Sequence, residues 1–185
     1  MRKNFRFEAD IRPPSQWSAA SGAATISLGD SQMAQTEAPE SVYGAHKLIS
    51  FGFNGTNTAN TTVCPYYFAG CKAQVGGTEL DAEIDPTHWY RFRIKVYAQQ
   101  GSYDVELKDM GTAHPTAETV GGTVVATAKS VSFANALSAG EGVSTIHIEG
   151  DGLAGSYGSL GVDPGHVLID NIKLSDVAGM VLVFR

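Results

Sequence analysis

The stretch that decides the fold is HWYRFRIKVYAQQGSYDVELKD, residues 88–109. Apolar side chains alternate with charged ones on both sides of a short polar segment, QQGS. The apolar positions are, in order, Phe92, Ile94, Val96, Tyr103, Val105 and Leu107. Alternation with a period of two is typical of half-buried strands, and a glycine-containing turn between two such runs predicts a β-hairpin. One face of this hairpin is therefore expected in a core and the other in solvent.

The charged residues of the hairpin predict its register. When the last apolar residue before the turn lies opposite the first one after it, Lys95 faces Asp104 and Arg93 faces Glu106. Opposite charges directly across an antiparallel pair stabilise that pair, each by about a few tenths of a kcal/mol. Two such pairs favour this register over its neighbours.

Similar strand-like runs extend outward along the chain. They are FRFEADIR (5–12), ATISLGD (24–30), HKLISFGF (46–53), GGTVVATAKSVSF (121–133), STIHIEG (144–150), HVLIDNIKLS (166–175) and GMVLVF (179–184). Residues 61–77 are predicted to form a further hairpin that bends at Gly70. About ten to twelve strands with almost no helix predict an all-β fold, a jelly-roll β-sandwich of two antiparallel sheets. We expect a single domain that spans residues 1–185.

Composition narrows the classes of partner. The formal net charge is −6, and no basic cluster is visible, which argues against nucleic acid. No apolar run approaches the ~20 residues that a membrane span needs, so no membrane insertion is expected. The basic MRKNF leads directly into a strand without an apolar signal core. The chain is either intracellular or a domain of a longer secreted protein, and we favour an extracellular or cell-surface location.

Two cysteines, Cys64 and Cys71, enclose six residues in CPYYFAGC. They could close a small disulfide loop in an oxidising compartment, or they could remain two unpaired buried thiols. The sequence leaves both alternatives open.

Three segments resemble one known superfamily in their order along the chain. They are FEADIRP (7–13), residues 88–109 and GHVLIDNIKLS (165–175). Together they resemble the concanavalin A-like lectin/glucanase jelly roll in its laminin-G-like form, which contains sugar-binding modules, adhesion domains, glycosidases and lyases. The resemblance implies a non-catalytic carbohydrate-binding or adhesion module of a larger secreted or cell-surface protein, with a polysaccharide or glycan as its partner.

A sugar-binding role directs attention to loop aromatics and their polar neighbours. Aromatic rings stack on pyranose faces, and polar side chains bind the hydroxyls. The candidates are Trp17, Tyr66, Tyr67, Tyr157, Asp151, Asp163 and His166. The alternative for each aromatic is a half-buried ring that anchors its loop.

The segment VLIDNIKL, residues 167–174, places a carboxylate in an apolar alternation. A bare carboxylate in a core is costly, so we favour a β-bulge at Asp170 and Asn171 that turns the Asp170 side chain out. A bound cation is the alternative. The sugar-binding jelly rolls that the chain resembles often carry a structural calcium, which implies Asp170 as a ligand with Glu8 and Asp10 as partners.

The segment GTELDAEID, residues 77–85, carries an acidic row. It resembles the E-[IL]-D-x-E signature of laminarinase-like glycoside hydrolases, which implies Glu79 as nucleophile, Glu83 as acid/base and Asp81 between them. A small glycoside hydrolase or polysaccharide lyase is therefore an alternative function. We favour an acidic strand end without a catalytic role, because Pro86 forces a turn directly afterwards.

A third alternative is a structural jelly-roll domain of a surface array, phage particle or filament. The apolar VLVF, residues 181–184, could then pair with a neighbouring chain, since exposed sheet edges invite self-association. The five histidines show no zinc spacing, and we expect each to be a loop or surface residue.

Overall fold

The computed structural model describes residues 3–13, 21–31, 33, 46–59, 66–137, 141–151, 168–176 and 181–184. For residues 21–24, 55–59, 66–71, 149–151, 176 and 181–184, only the backbone is described. Most of the described residues form strands, in two antiparallel sheets. The predicted all-β sandwich is therefore confirmed.

Eleven strands are present in these ranges. They are β1 (Phe5–Arg12), β2 (Ser21–Gly29), β3 (Lys47–Ala59), β4 (Tyr66–Val75), β5 (Thr78–Glu79), β6 (Trp89–Tyr97), β7 (Ser102–Gly111), β8 (Thr123–Ser132), β9 (Thr145–Asp151), β10 (Leu168–Asp176) and β11 (Val181–Phe184). The six-stranded sheet has the order β11-β10-β1-β6-β7-β8, and the five-stranded sheet has the order β5-β4-β3-β2-β9. The chain passes from one sheet to the other after β1, β5, β8 and β9.

The two sheets pack together through a group of aromatic rings. Phe51 of β3 lies 5.6 Å from Phe7 of β1 and 5.2 Å from Phe92 of β6, centroid to centroid. Phe53 of β3 lies 5.5 Å from both Phe92 and Tyr90. All five side chains are fully buried. Each phenylalanine stabilises the fold by roughly 1.5–3 kcal/mol through its removal from water.

The hairpin of β6 and β7 has the predicted register. Arg93 lies opposite Glu106 and Lys95 lies opposite Asp104 along the antiparallel pair. Because side chains alternate between the faces, the odd-numbered residues of this part of β6 point away from the core. The outer surface of the six-stranded sheet is consequently charged.

The hairpin predicted for residues 61–77 is wrong. Residues 66–75 form the single strand β4, which continues through Gly70 and pairs with β3. The register shifts between Gly55 and Asn57 of β3, where β4 contains one extra residue, so Gly70 lies in a bulge. Glycine suits a bulge as well as a turn, and the neighbouring strand decides between them. Cys64 lies outside the described residues, and of Cys71 only the backbone is described.

Candidate functional site

The outer face of the six-stranded sheet contains an open pocket of about 320 Å³. Strands β1, β6, β7 and β8 line it side by side. Its polar lining consists of Arg6, Glu8, Arg93, Lys95, Asp104, Glu106 and Lys129. Successive side chains of a strand point to opposite faces of the sheet, and these residues all lie on the face away from the core. The alternation that buries the apolar residues therefore also gathers the charged ones here.

Arg93 occupies the centre of this charged surface. Its Nε lies 3.3 Å from Glu8 Oε1 on one neighbouring strand, and its Nη1 donates to Glu106 Oε1 on the other at 3.4 Å. Lys108 Nζ lies 3.8 Å from the same glutamate oxygen. Among the described residues the buried Arg93 Nε has no hydrogen-bond acceptor in good alignment. The guanidinium is therefore positioned between two carboxylates.

Asp104 is held by three donors from its surroundings. The backbone N–H of Ser130 donates to it at 2.9 Å, the Tyr97 hydroxyl at 3.0 Å, and Lys129 Nζ at 3.4 Å. The Ser130 hydrogen bond is the main reason why the pKa of Asp104 lies below its ordinary value, with Tyr97 and Lys129 acting in the same direction. Lys95 lies instead over the Tyr97 ring, with Nζ 5.0 Å from its centroid. The predicted opposition of Lys95 and Asp104 is correct in register, but other groups hold the carboxylate.

A second polar cluster lies further along the same face. Arg91 of β6 donates to both carboxylate oxygens of Asp10 of β1, from Nε at 2.6 Å and from Nη2 at 2.7 Å. Both side chains are almost fully buried. Arg91 also donates to the carbonyls of Thr116 at 3.0 Å and Thr119 at 2.7 Å. The pair thus fixes the loop between β7 and β8. These hydrogen bonds offset the free energy that is lost when the two charges are removed from water.

The predicted β-bulge at Asp170 and Asn171 is present. The register between β1 and β10 shifts at this point, and Asn171 adopts a φ of +50°. Its side-chain amide donates to Asp10 Oδ2 and to the Pro115 carbonyl, both at 2.8 Å. Asp170 turns outward, and its Oδ2 lies 2.7 Å from Nε2 of His114. The bulge therefore removes a carboxylate from the core and connects β10 to the same loop.

The calcium site stays a prediction. Glu8, Asp10 and Asp170 each face a nitrogen group of an arginine or a histidine. Within the described ranges, no group of three or more His, Cys, Asp or Glu side chains is placed to hold a metal ion.

Two histidines of the same region have partners that sequence reasoning missed. His88 Nδ1 lies 2.9 Å from Asp109 Oδ2, and this contact raises the pKa of His88 above its ordinary value. The His114 ring packs against Trp89 at a tilt, with centroids 4.6 Å apart and an interplanar angle of 57°. Trp89 is buried, and it packs here and not in the cluster between the sheets. Local spacing does not indicate these pairs, because their members are far apart along the chain; His88 and Asp109 are 21 positions apart.

The acidic row begins at an edge of the other sheet and continues beyond it. Strand β5 ends at Glu79, as expected for a strand end, and Asp81 and Glu83 follow in irregular chain. All three side chains are exposed, while the intervening Leu80 and Ala82 are buried. The row therefore faces water at the edge where β5 lies.

The loop aromatics proposed for sugar binding are only partly described. Trp17, Tyr157, Asp163 and His166 lie outside the described residues. Tyr66 and Tyr67 begin β4 and Asp151 ends β9, and of these three only the backbone is described. These backbones belong to the five-stranded sheet, whereas the pocket lies on the six-stranded one.

Comparisons of the chain with the patterns of protein families, with curated proteins and with solved structures give no match. In the part of the chain that the structure describes, no helix has the length and apolar character needed to cross a membrane.

Proposed function

We propose that this chain is a non-catalytic carbohydrate-binding or adhesion module, and that it binds a polysaccharide or glycan on the outer face of the six-stranded sheet. The observation that carries this proposal is the open pocket lined by Arg6, Glu8, Arg93, Asp104 and their neighbours. Its volume of about 320 Å³ falls within the usual range for ligand sites.

The lining has the chemistry that sugar hydroxyls require. Carboxylates accept hydrogen bonds from hydroxyls, and guanidinium and ammonium groups donate to them. Arg93 and Asp104 are each held by contacts to neighbouring strands, so little side-chain entropy is lost when a ligand binds. An open surface on a sheet also admits an extended polymer, whereas an enclosed cavity would admit only its end.

The alternative of a glycoside hydrolase or lyase has less support. A general acid needs surroundings that keep it protonated near neutral pH. Glu79, Asp81 and Glu83 are exposed to water. Glu79 ends an edge strand of the five-stranded sheet, and none of the three lines the pocket. This arrangement favours binding over cleavage.

A structural role is a second candidate, favoured by the position of β11. This strand, Val181–Phe184, is an edge of the six-stranded sheet and pairs only with β10 among the described strands. An apolar edge strand can pair with the edge of another chain. Light scattering of size-exclusion fractions tests this role, which predicts concentration-dependent oligomers that a Val183→Lys substitution disperses.

The binding function is tested by native affinity electrophoresis through gels that contain neutral or acidic polysaccharides. The proposal predicts that at least one polysaccharide retards the protein and that Arg93→Gln abolishes the retardation. Lys72→Gln is the matched control, because it removes the same charge from an exposed position on β4. Circular dichroism verifies that both variants are folded. Unchanged mobility in every gel, or equal loss in both variants, would contradict the proposal.

A further inference from the structure

Arg6 and Lys95 lie directly opposite each other on the adjacent strands β1 and β6. Both line the pocket. Side chains at directly opposed antiparallel positions have Cβ atoms about 4.5–5.5 Å apart, and like charges there destabilise the sheet. The fold therefore contains a local repulsion at the surface where a ligand is proposed to bind.

The carboxylates nearby do not relieve this repulsion by direct contact. Glu8 and Glu106 both face Arg93, and Asp104 is held by Lys129 and by the groups already described. Within the described residues, neither Arg6 nor Lys95 has a carboxylate at ion-pair distance. Arg6 and Lys95 are therefore the pocket cations that can form an ion pair with an acidic ligand without breaking an existing one.

The balance of charge in the pocket also differs from that of the chain. Four cations and three carboxylates line the pocket, whereas the whole chain carries a formal net charge of −6. An acidic ligand is repelled by the protein in general and attracted to this surface in particular, which directs it to the pocket.

We infer that the ligand of this pocket is an anionic polysaccharide, whose sulfate or uronate groups bind between Arg6 and Lys95. This inference rests on the proposed binding function. An acidic group placed between the two cations removes their repulsion and gains charge-assisted hydrogen bonds, which the planar guanidinium of Arg6 can make in pairs. Neighbouring sugar hydroxyls can then bind the fixed polar groups around Arg93 and Asp104.

The experiment measures the Kd of the intact chain for three polymers of matched length: dextran sulfate, polygalacturonate and neutral dextran. The test variant is Arg6→Gln/Lys95→Gln. The control variant is Lys3→Gln/Lys72→Gln, which changes net charge equally at two exposed positions outside the pocket. We expect the test variant to bind the preferred acidic polymer roughly tenfold or more weakly, since each lost charge-assisted bond contributes about that factor. The control variant should bind like the wild type.

The outcomes separate the inference from the function on which it rests. If the test variant binds dextran sulfate more weakly than the wild type does, sulfate is the acidic group. If it binds polygalacturonate more weakly, uronate is the acidic group. Binding to neutral glycans alone, equal in all variants, would overturn the inference and leave the proposed function standing. Equal weakening in both variants would show an effect of net charge only and overturn the inference. Binding to no glycan would overturn both. The test variant should unfold at a temperature no lower than the wild type, because it removes a repulsive pair.

Discussion

Arg91 donates two hydrogen bonds to the carboxylate of Asp10, at 2.6 and 2.7 Å, across the pairing of β6 with β1. These two residues lie in the covered part of the outer face of the six-stranded sheet. Around them the face is covered by the loop whose carbonyls Arg91 binds. Further along the same strands the face is open and forms the pocket.

Loss of one member of the buried pair of Asp10 and Arg91 should destabilise the protein more than loss of both. Arg91→Ala leaves Asp10 as an unpaired buried charge, and we expect a loss of about 3–5 kcal/mol in the free energy of unfolding. Asp10→Leu/Arg91→Leu removes both charges and should lose less than the single substitution. Urea denaturation measures both values. A double variant less stable than Arg91→Ala would contradict this account of the pair.

The bulge on β10 should depend on the backbone conformation of Asn171 as well as on its amide. Asn171→Gly keeps a residue suited to a φ of +50° but loses the hydrogen bonds to Asp10 and Pro115. Asn171→Ala loses the same bonds and adds the strain of that conformation, so it should be less stable by a further ~1 kcal/mol. Thermal unfolding of the two variants compares them directly, and equal stabilities would show that the positive φ carries no cost.

Removal of the Tyr103 hydroxyl should not destabilise the protein. This hydroxyl is buried without a hydrogen-bond partner among the described residues, and burial raises the pKa of Tyr103 to about 12. Tyr103→Phe should therefore leave stability unchanged or raise it by about 1 kcal/mol. The matched control is Tyr90→Phe, because the Tyr90 hydroxyl accepts a hydrogen bond from the Asp85 backbone at 2.7 Å. The control should be the less stable of the two in urea denaturation, and the reverse order would be inconsistent with an unsatisfied Tyr103.

Stability should depend on pH through His88. Its pKa is raised above 6.5, chiefly by the hydrogen bond to Asp109, so the protonated histidine stabilises the folded state. This contribution is complete below pH 6.5 and disappears as the pH rises through the raised pKa. The melting temperature of His88→Gln should therefore fall furthest below that of the wild type at about pH 5.5 and approach it at about pH 8.5. Asp109→Asn removes the cause of the shift and should weaken the same pH dependence. A difference that does not vary with pH would show that protonation of His88 is irrelevant to folding.

Local patterns in the sequence predict much of the strand content because period-two alternation is a property of neighbouring residues. They predict β1, the register of β6 and β7, and the charged outer face that becomes the pocket. They also predict the bulge at Asp170, because a carboxylate that the alternation would point into the core must turn outward to avoid the cost of its desolvation.

The prediction at Gly70 failed for an equally physical reason. A glycine permits both a turn and a bulge, and its own neighbours in sequence do not distinguish them. The choice depends on β3, which pairs with β4 on both sides of Gly70.

The sequence by itself therefore determined most of the strands, their faces and the class of the fold, because these follow from contacts close along the chain. Only the tertiary structure decided which charges meet between strands that are distant along the chain. Asp10 binds Arg91 from 81 positions away and Asn171 from 161 positions away. Arg6 faces Lys95 because β1 inserts between β10 and β6. Such pairs depend on the order of strands in the sheet, and that order is set by how two whole sheets bury their apolar faces against each other.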